Sequence, residues 1–133
     1  MTTPIDIREI SVPALAYLGD CVIELCVRRY LVTDLGLSTS AHLNARALDY
    51  VRAPMQAEAM KHILPLLTDE EALYFRRGRN MGHSNTPKSA TMAEYRSATG
   101  MEALFGWLHL AKRQERINEL FRIAYKLDES ENA

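Results

Sequence analysis

The chain has 133 residues, 47% of them hydrophobic and 25% charged, with a formal net charge of −1. This composition excludes a disordered or fibrous protein and predicts a globular domain with its own core, and the near-zero charge means that a polyanion would have to be bound by a local basic patch. No apolar run reaches the length of a membrane span and no secretory leader is recognisable, so we expect a cytoplasmic protein without membrane association.

Helix periodicity and helix start signals recur along the chain, whereas strand signals are nearly absent, so the sequence predicts an all-α fold. The first helix is expected to begin after Ser11 and to end near Val32, before a turn over residues 33–36. Three further helices are predicted: from a cap at Ser38 or Ser40 to Arg52, from Pro54 to Leu64, and from Thr68 to residues 77–78.

The second half opens with a predicted loop over residues 78–87, where Gly, Asn, Ser, Thr and Pro accumulate. Helix is expected again from about Ser89 into an apolar stretch over residues 98–111, with a break near Gly100. The last predicted helix is amphipathic and runs from Gln114 to about Leu127.

We find no internal repeat and no linker, so residues 1–133 are predicted to form one domain, with flexible tails over residues 1–5 and 128–133. Cys21 and Cys26 are the only cysteines. They show no CxxC or Cys–His pattern, so we expect both to pack as small apolar residues in a reducing compartment.

Two stretches are apolar on almost every face and yet contain acids. Residues 14–27 (ALAYLGDCVIELCV) hold Asp20 and Glu24, and residues 98–111 (ATGMEALFGWLHLA) hold Glu102. Such helices are normally buried, and an unpaired carboxylate there costs on the order of several kcal/mol. If two of these acids meet, a divalent cation would relieve their repulsion, and a site of carboxylates and water suits Mg²⁺ or Mn²⁺ rather than zinc.

Each acid also has an ordinary interpretation. Asp20 could be satisfied by a helix N-terminus or by an arginine from elsewhere in the fold, instead of binding a metal or acting as a base. Glu24 lies one turn after Asp20 and has Arg28 four residues further on, a spacing that also predicts a simple helix ion pair. His109 could share a face with Glu102, although a structural role near the helix end is the favoured interpretation.

A basic cluster precedes the second acidic stretch. Side chains and backbone N–H groups of such a segment can contact phosphates, although a solvated charged loop would show the same composition. Because the cluster lies close to Glu102, the phosphate interpretation is favoured, and cations beside a carboxylate–metal centre suit phosphodiester chemistry. The candidate residues are Arg76, Arg77, Arg79, Lys88 and Arg96.

These segments resemble a known family. LAYLGDCVIEL (residues 15–25) resembles the signature helix of ribonuclease III domains, and MEALFGWLHL (residues 101–110) resembles the second motif of that family. The resemblance spans residues 6–127, without an appended double-stranded-RNA-binding domain, and is specifically to the Mini-ribonuclease III group. Three shorter segments support that assignment: RRGRN (76–80), TPK (86–88) and EYRSATG (94–100).

The resemblance implies an all-helical homodimer that cleaves double-stranded RNA with Mg²⁺, leaves 5′-phosphate ends and matures the large-subunit ribosomal RNA precursor, with a ribosomal protein as a possible helper. By position, Asp20 and Glu102 match the catalytic metal-binding acids. Larger ribonuclease III enzymes have two further acids, where this chain has Ala16 and Thr99. The number of metal ions per site and the role of Glu24 therefore stay open.

A different class of function is a non-catalytic ribonuclease III-like dimer that binds structured RNA as a ribosomal or assembly scaffold. Loss of a motif acid would favour it, and both acids are present. A helical nucleotide phosphohydrolase would need His-Asp pairs or an ExxE repeat, which the sequence lacks. The surplus of apolar residues on the first helix predicts that a second copy covers it.

Overall fold

The computed structural model describes residues 4–81 and 90–129. Every regular element in these ranges is helical, which confirms the predicted all-α fold. The α-helices described are α1 (Val12–Arg29), α2 (Ser40–Val51), α3 (Ala53–Ile63), α4 (Asp69–Arg79), α5 (Met92–Leu110) and α6 (Gln114–Ala124). Shorter helical turns lie at Ile7–Glu9, Tyr30–Asp34 and Leu64–Leu66. None of the helices described combines the length and the apolar character needed to cross a bilayer.

The helix starts follow local capping chemistry. The Ser11 hydroxyl accepts a hydrogen bond from the backbone N–H of Ala14 at 3.2 Å and begins α1 as predicted. Thr68 and Glu71 form a reciprocal capping box at the start of α4. The cap of α2 is Thr39, so the prediction of Ser38 or Ser40 was wrong: Thr39 is the residue in extended conformation whose hydroxyl accepts from the N–H of His42.

Several predicted helix ends need correction. The α-helical part of the first helix ends at Arg29 and continues as one π-helical turn, Tyr30–Asp34. Helix α4 runs through Gly78, which was predicted to open a loop, and α5 passes through Gly100 without the predicted break. A side chain at Gly100 would overlap Phe75, so this glycine serves helix packing rather than a kink. The last helix ends three residues before the predicted Leu127, at Ala124.

Helix α5 is the centre of the fold. Helices α1, α3 and α4 pack around it, so Met101, Leu104, Phe105 and Leu108 are fully enclosed. This packing explains why residues 98–111 can be apolar on nearly every face, as the sequence indicated. Burial of such side chains contributes about 1.5–3 kcal/mol each.

Helix α1, by contrast, is not buried on every face. Leu15, Ile23 and Val27 are enclosed, but Tyr17 is 86% exposed and Leu25 is 57% exposed. The expectation that both cysteines pack inside was wrong for Cys21, which is exposed, and correct for Cys26. The outer face of α1 is therefore an apolar surface in the single chain.

A buried ion pair joins α4 to α6. Glu71 is only 1% exposed and accepts hydrogen bonds from Arg116 Nε and Nη2, both at 2.8 Å. Arg116 also donates to the carbonyl of Leu66 at 2.9 Å. Burial alone would raise the pKa of Glu71, but the hydrogen bonds from Arg116 and Thr68 outweigh it and lower the pKa.

Candidate active site

Helices α1 and α5 touch backbone to backbone at two glycines. A Cβ atom at Gly19 would overlap the carbonyl oxygen of Glu102, and a Cβ atom at Gly106 would overlap that of Leu15, both far closer than the 3.0 Å that real Cβ atoms respect. Only glycine at both positions allows this approach. The apolar stretches of the two helices therefore cross close to the acids: Gly19 directly precedes Asp20, and Gly106 lies one turn after Glu102.

This crossing brings the two predicted acids together. The carboxyl groups of Asp20 and Glu102 lie within interaction distance of each other, although the two residues are 82 positions apart in the sequence. Glu102 is half-buried and Asp20 is exposed. The expectation of two enclosed acids was thus wrong for Asp20, because the face of α1 that bears it is open in the single chain.

The burial of Glu102 perturbs its protonation. Removal of the carboxyl group from water raises its pKa from 4.5 to about 8, and the neighbouring charge of Asp20 and the hydrogen bond to it act in the same direction. Near neutral pH the Glu102 carboxyl group therefore retains its proton. A cation at this position could replace that proton and leave both groups ionised.

The residues at the crossing fit a divalent cation with few protein ligands. Across residues 4–81 and 90–129, no third His, Cys, Asp or Glu joins the two acids in a group able to hold a metal. Ala16 is buried, and the Thr99 hydroxyl donates to the carbonyl of Tyr95 at 3.0 Å. Two carboxylates with water completing the coordination shell suit Mg²⁺ or Mn²⁺.

Two nearby residues are accounted for by local contacts or position. Glu24 accepts a hydrogen bond from Arg28 Nε at 3.1 Å, which confirms the predicted helix ion pair. His109 is exposed near the end of α5 and does not form a metal-binding group with the acids. The seven-residue spacing between Glu102 and His109 therefore does not indicate that His109 is a third metal ligand.

The predicted basic cluster lies mainly on the last turns of α4. Arg76, Arg77 and Arg79 are exposed and helical, whereas Arg79 was predicted to lie in a loop. The Arg77 guanidinium lies 5.1 Å from the Tyr74 ring centroid, and that of Arg79 lies 5.7 Å from the Phe75 ring centroid. These ring contacts hold both cations close to the helix.

The end of α4 also lies close to the acid pair. A Cβ atom at Gly78 would overlap Gly100, two residues before Glu102, so this part of α4 contacts α5 directly. Arg96 is exposed on α5, one to two turns before Glu102, and Lys88 lies outside the described residues. In the described part of the chain, no acid forms an ion pair with any of the four described arginines.

The sequence did not indicate the two-glycine contact, although the surplus of apolar residues on the first helix did indicate an uncovered face there. Glycines inside apolar helices, each within one turn of an acid, are the feature that could have revealed the crossing. That Tyr17 and Leu25 in particular lie on this face had no such indication, because periodicity alone does not separate a core face from a face covered by another chain.

A family model described as "Ribonuclease III domain" matches residues 13–113, a range that contains both acids and most of the fold. Together with the helical architecture and the acid pair at the α1–α5 crossing, this match defines a nuclease domain of the ribonuclease III class.

Comparison with similar proteins identifies the family within the ribonuclease III class. A Mini-ribonuclease 3 of Symbiobacterium thermophilum is 44% identical over 110 residues, covering 83% of this chain and 84% of that protein. A Mini-ribonuclease 3 of Enterococcus faecalis is 40% identical over 123 residues, covering 91% and 92%. The crystal structure of a Fusobacterium nucleatum protein aligns with a TM-score of 0.82 at 32% identity, covering 94% of this chain and 99% of that one. The chain belongs to the Mini-ribonuclease III family.

Proposed function

We propose that this ribonuclease III-type enzyme is a Mg²⁺-dependent endoribonuclease that cleaves double-stranded RNA and leaves 5′-phosphate and 3′-hydroxyl ends. The observation that supports it most directly is the contact between the Asp20 and Glu102 carboxyl groups, one of which retains its proton up to a pKa of about 8. Mg²⁺, or Mn²⁺ in its place, would be held by these two groups and would supply an activated water and neutralise phosphate charge.

The residues of the chain have separable tasks in this proposal. Asp20, on the open face of α1, is accessible to a phosphodiester, while Glu102 anchors the site from the more buried helix. The fixed crossing at Gly19 and Gly106 positions both carboxylates without further ligands. Phosphates of the RNA backbone would be held by the basic cluster: Arg76, Arg77, Arg79, Lys88 and Arg96.

We also propose that the active form is a homodimer. An open hollow of about 690 Å³ beside Asp20 is walled by apolar and polar side chains of α1, among them Tyr17, Leu18, Cys21 and Leu25. A self-complementary contact through the apolar part of this face would cover Tyr17 and Leu25 and, in this proposal, leaves Asp20 open to the RNA. The two-fold symmetry would then place one active site on each strand of the duplex.

The substrate and the cellular setting are proposed from the resemblance to Mini-ribonuclease III enzymes. The proposed substrate is the large-subunit ribosomal RNA precursor, which the enzyme would mature in the cytoplasm with a ribosomal protein as helper. Comparing cleavage of a ribosomal precursor duplex with cleavage of an unrelated duplex of equal length, with and without the large-subunit ribosomal proteins, tests this part separately from the chemistry.

The chemistry is tested by incubating the protein with duplex RNA and Mg²⁺. Asp20→Asn and Glu102→Gln should each lower kcat/KM by about 100-fold or more, because each removes one of two protein ligands. Glu115→Gln, an exposed change on α6, is the control and should cut like the wild type. Cleavage that survives in both acid variants contradicts the assigned roles, and RNA binding without cleavage by the wild type favours a scaffold.

A further inference from the structure

Two arginines of α4 lie over aromatic rings that precede them by one turn of the same helix. Arg77 follows Tyr74 by three residues and Arg79 follows Phe75 by four, the spacings at which side chains of a helix meet. The Arg79 Nε also donates to the side-chain oxygen of Asn80 at 3.3 Å, a contact that uses neither of its Nη groups. Tyr74 is 5% exposed and Phe75 is 3% exposed. Each exposed arginine therefore rests on a ring that belongs to the core.

The core fixes both rings in place. The Tyr74 ring is stacked on the Trp107 ring, with centroids 4.8 Å apart and planes inclined by 13°. The Phe75 ring lies so close to Gly100 that a Cβ atom there would overlap its Cδ1 and Cε1 atoms. At this packing density a side chain has one arrangement, and a change of arrangement would require a shift of α5. The rings are therefore rigid supports for the arginines.

A ring holds an arginine without cancelling its charge. Within the residues that the structure describes, neither Arg77 nor Arg79 forms an ion pair. Arg113 is different: its guanidinium lies 4.9 Å from the Trp107 ring centroid and also 3.6 Å from the Glu70 carboxylate. A carboxylate neutralises its partner, whereas an aromatic ring attracts the cation through its quadrupole and adds no net charge. The two α4 arginines are thus held in place and keep their full charge.

The two arginines lie on opposite flanks of α4. They are two residues apart, which is a rotation of about 200° around the helix. On one flank, Arg79 and Phe75 line a groove of about 340 Å³ between α4, α3 and the start of α5. On the other flank, Arg77 covers Tyr74, whose ring faces Trp107 in the last turns of α5. The two cations can therefore contact separate phosphates, one on each side of the helix.

We propose that Tyr74 and Phe75 are positioning residues for RNA binding, which hold Arg77 and Arg79 in the conformation that contacts two separate backbone phosphates. This inference rests on the proposed binding of RNA by the basic cluster. The apparent affinity of a protein falls with the fraction of free molecules that have the binding conformation. A ring-held arginine is already ordered, whereas an unsupported one loses side-chain freedom when it binds. Among the described residues, Arg76 has neither a ring nor an acid partner.

The first test changes the electronic character of one ring and preserves its shape. Trifluorinated phenylalanine in place of Phe75 keeps the packing against Gly100 but removes the negative ring face. In a Glu102→Gln background, the Kd for duplex RNA should rise about twofold to fivefold. The slope of log K against log salt should not change, because the Arg79 charge still reaches its phosphate. The same replacement at Phe121, a 4% exposed ring of α6 over which no arginine of the described ranges lies, is the control and should leave Kd unchanged.

The second test uses ordinary substitutions at the other ring. Tyr74→Phe keeps the aromatic face and should bind RNA like the wild type, whereas Tyr74→Leu should lose about twofold to fivefold in affinity. Circular dichroism at the temperature of the binding measurement shows whether Tyr74→Leu is folded. In an Arg77→Ala background, Tyr74→Leu should have no further effect on Kd, and in an Arg79→Ala background the fluorinated Phe75 ring should have none.

The outcomes separate this inference from the RNA-binding role of the cluster. If Arg77→Ala and Arg79→Ala both bind RNA with wild-type affinity and salt slope, the cluster does not bind RNA, and the role of the rings fails with it. If these variants bind weakly but the fluorinated ring and Tyr74→Leu bind normally, only the positioning role is contradicted. A ring effect of equal size with and without the arginine would show that the ring acts through the fold, which also contradicts the proposal.

Discussion

The backbone of Gly19 on α1 lies directly against the carbonyl of Glu102 on α5. The residue that precedes Asp20 therefore touches the backbone of Glu102. Gly106 makes the reciprocal approach to Leu15. The distance between the two carboxyl groups is therefore set by the closest approach that two helices can make. Stability and site geometry depend on the same contact.

Gly19→Ala should impair both properties. Alanine is the better helix former by about 1 kcal/mol, but its methyl group would overlap the Glu102 carbonyl and force the helices apart, at a cost of about 1–3 kcal/mol or more. Thermal melts and duplex cleavage measure the two effects. Gly36→Ala is the matched control: it has open space but a φ of +67°, so it should lose about 1 kcal/mol of stability and keep its activity. Equal cleavage by both variants would contradict the role of the crossing.

A second prediction concerns pH. The pKa of Glu102 is about 8 in the folded chain and near 4.5 when unfolded, so unfolding releases a proton between these values. The free energy of unfolding contributed by this group is fully present below about pH 4.5 and falls as the pH rises towards 8. In EDTA, Glu102→Gln should therefore melt like the wild type at about pH 4 and above it at about pH 8.5. Glu115→Gln should follow the wild type throughout, and a pH-independent difference would contradict the burial of Glu102.

Much of this architecture was predictable, and the exceptions have physical reasons. The starts of α1 and α4 followed from Ser11 and Thr68, because capping is a local interaction. Acids in apolar helices indicated that these carboxyl groups need a partner, and the resemblance to ribonuclease III domains assigned Asp20 and Glu102 to one site. The continuation of helix through Gly78 and Gly100 did not, because close packing between α4 and α5 outweighs the low helix propensity of glycine there. The exposure of Asp20 also depends on which face of α1 other helices cover, and periodicity does not define that.

The α4 arginines should contribute to RNA binding through charge. Arg79→Ala should weaken duplex binding and reduce the slope of log K against log salt by about one, since each phosphate contact releases counterions. Lys61→Ala is the control, because Lys61 is exposed on α3 and paired with Glu58 at 3.3 Å. Titrations at several salt concentrations with a catalytically inactive Glu102→Gln background measure the slope. An unchanged slope in Arg79→Ala would exclude this residue from the interface.

The exposed face of α1 leads to a prediction about assembly. Leu25 is 57% exposed, so Leu25→Glu should leave the single chain folded while placing a charge in the proposed dimer contact. Sedimentation should then show a monomer, with helical content unchanged. Ile123→Glu is a matched change at an apolar residue that is 39% exposed on α6, and it should leave the dimer intact. A wild-type monomer at the concentration used for cleavage would contradict the dimer.

The buried pair of Glu71 and Arg116 should be the costliest ion pair to break. Arg116→Met would leave the Glu71 carboxylate enclosed without its partner, which is expected to lower the free energy of unfolding by about 3–5 kcal/mol near neutral pH. In the wild type the pKa of Glu71 is lowered, so the stability that the pair contributes is present above the unfolded value of 4.5 and is lost as the pH falls through the lower folded value. In Arg116→Met, burial would instead raise that pKa, and the variant should lose further stability as the pH rises.

The double variant Glu71→Gln with Arg116→Met should regain part of the loss, because it removes the unpaired charge. Unfolding followed by the fluorescence of the single tryptophan, Trp107, measures all three proteins at one concentration, and a single variant as stable as the wild type would show that the pair does not fasten α4 to α6.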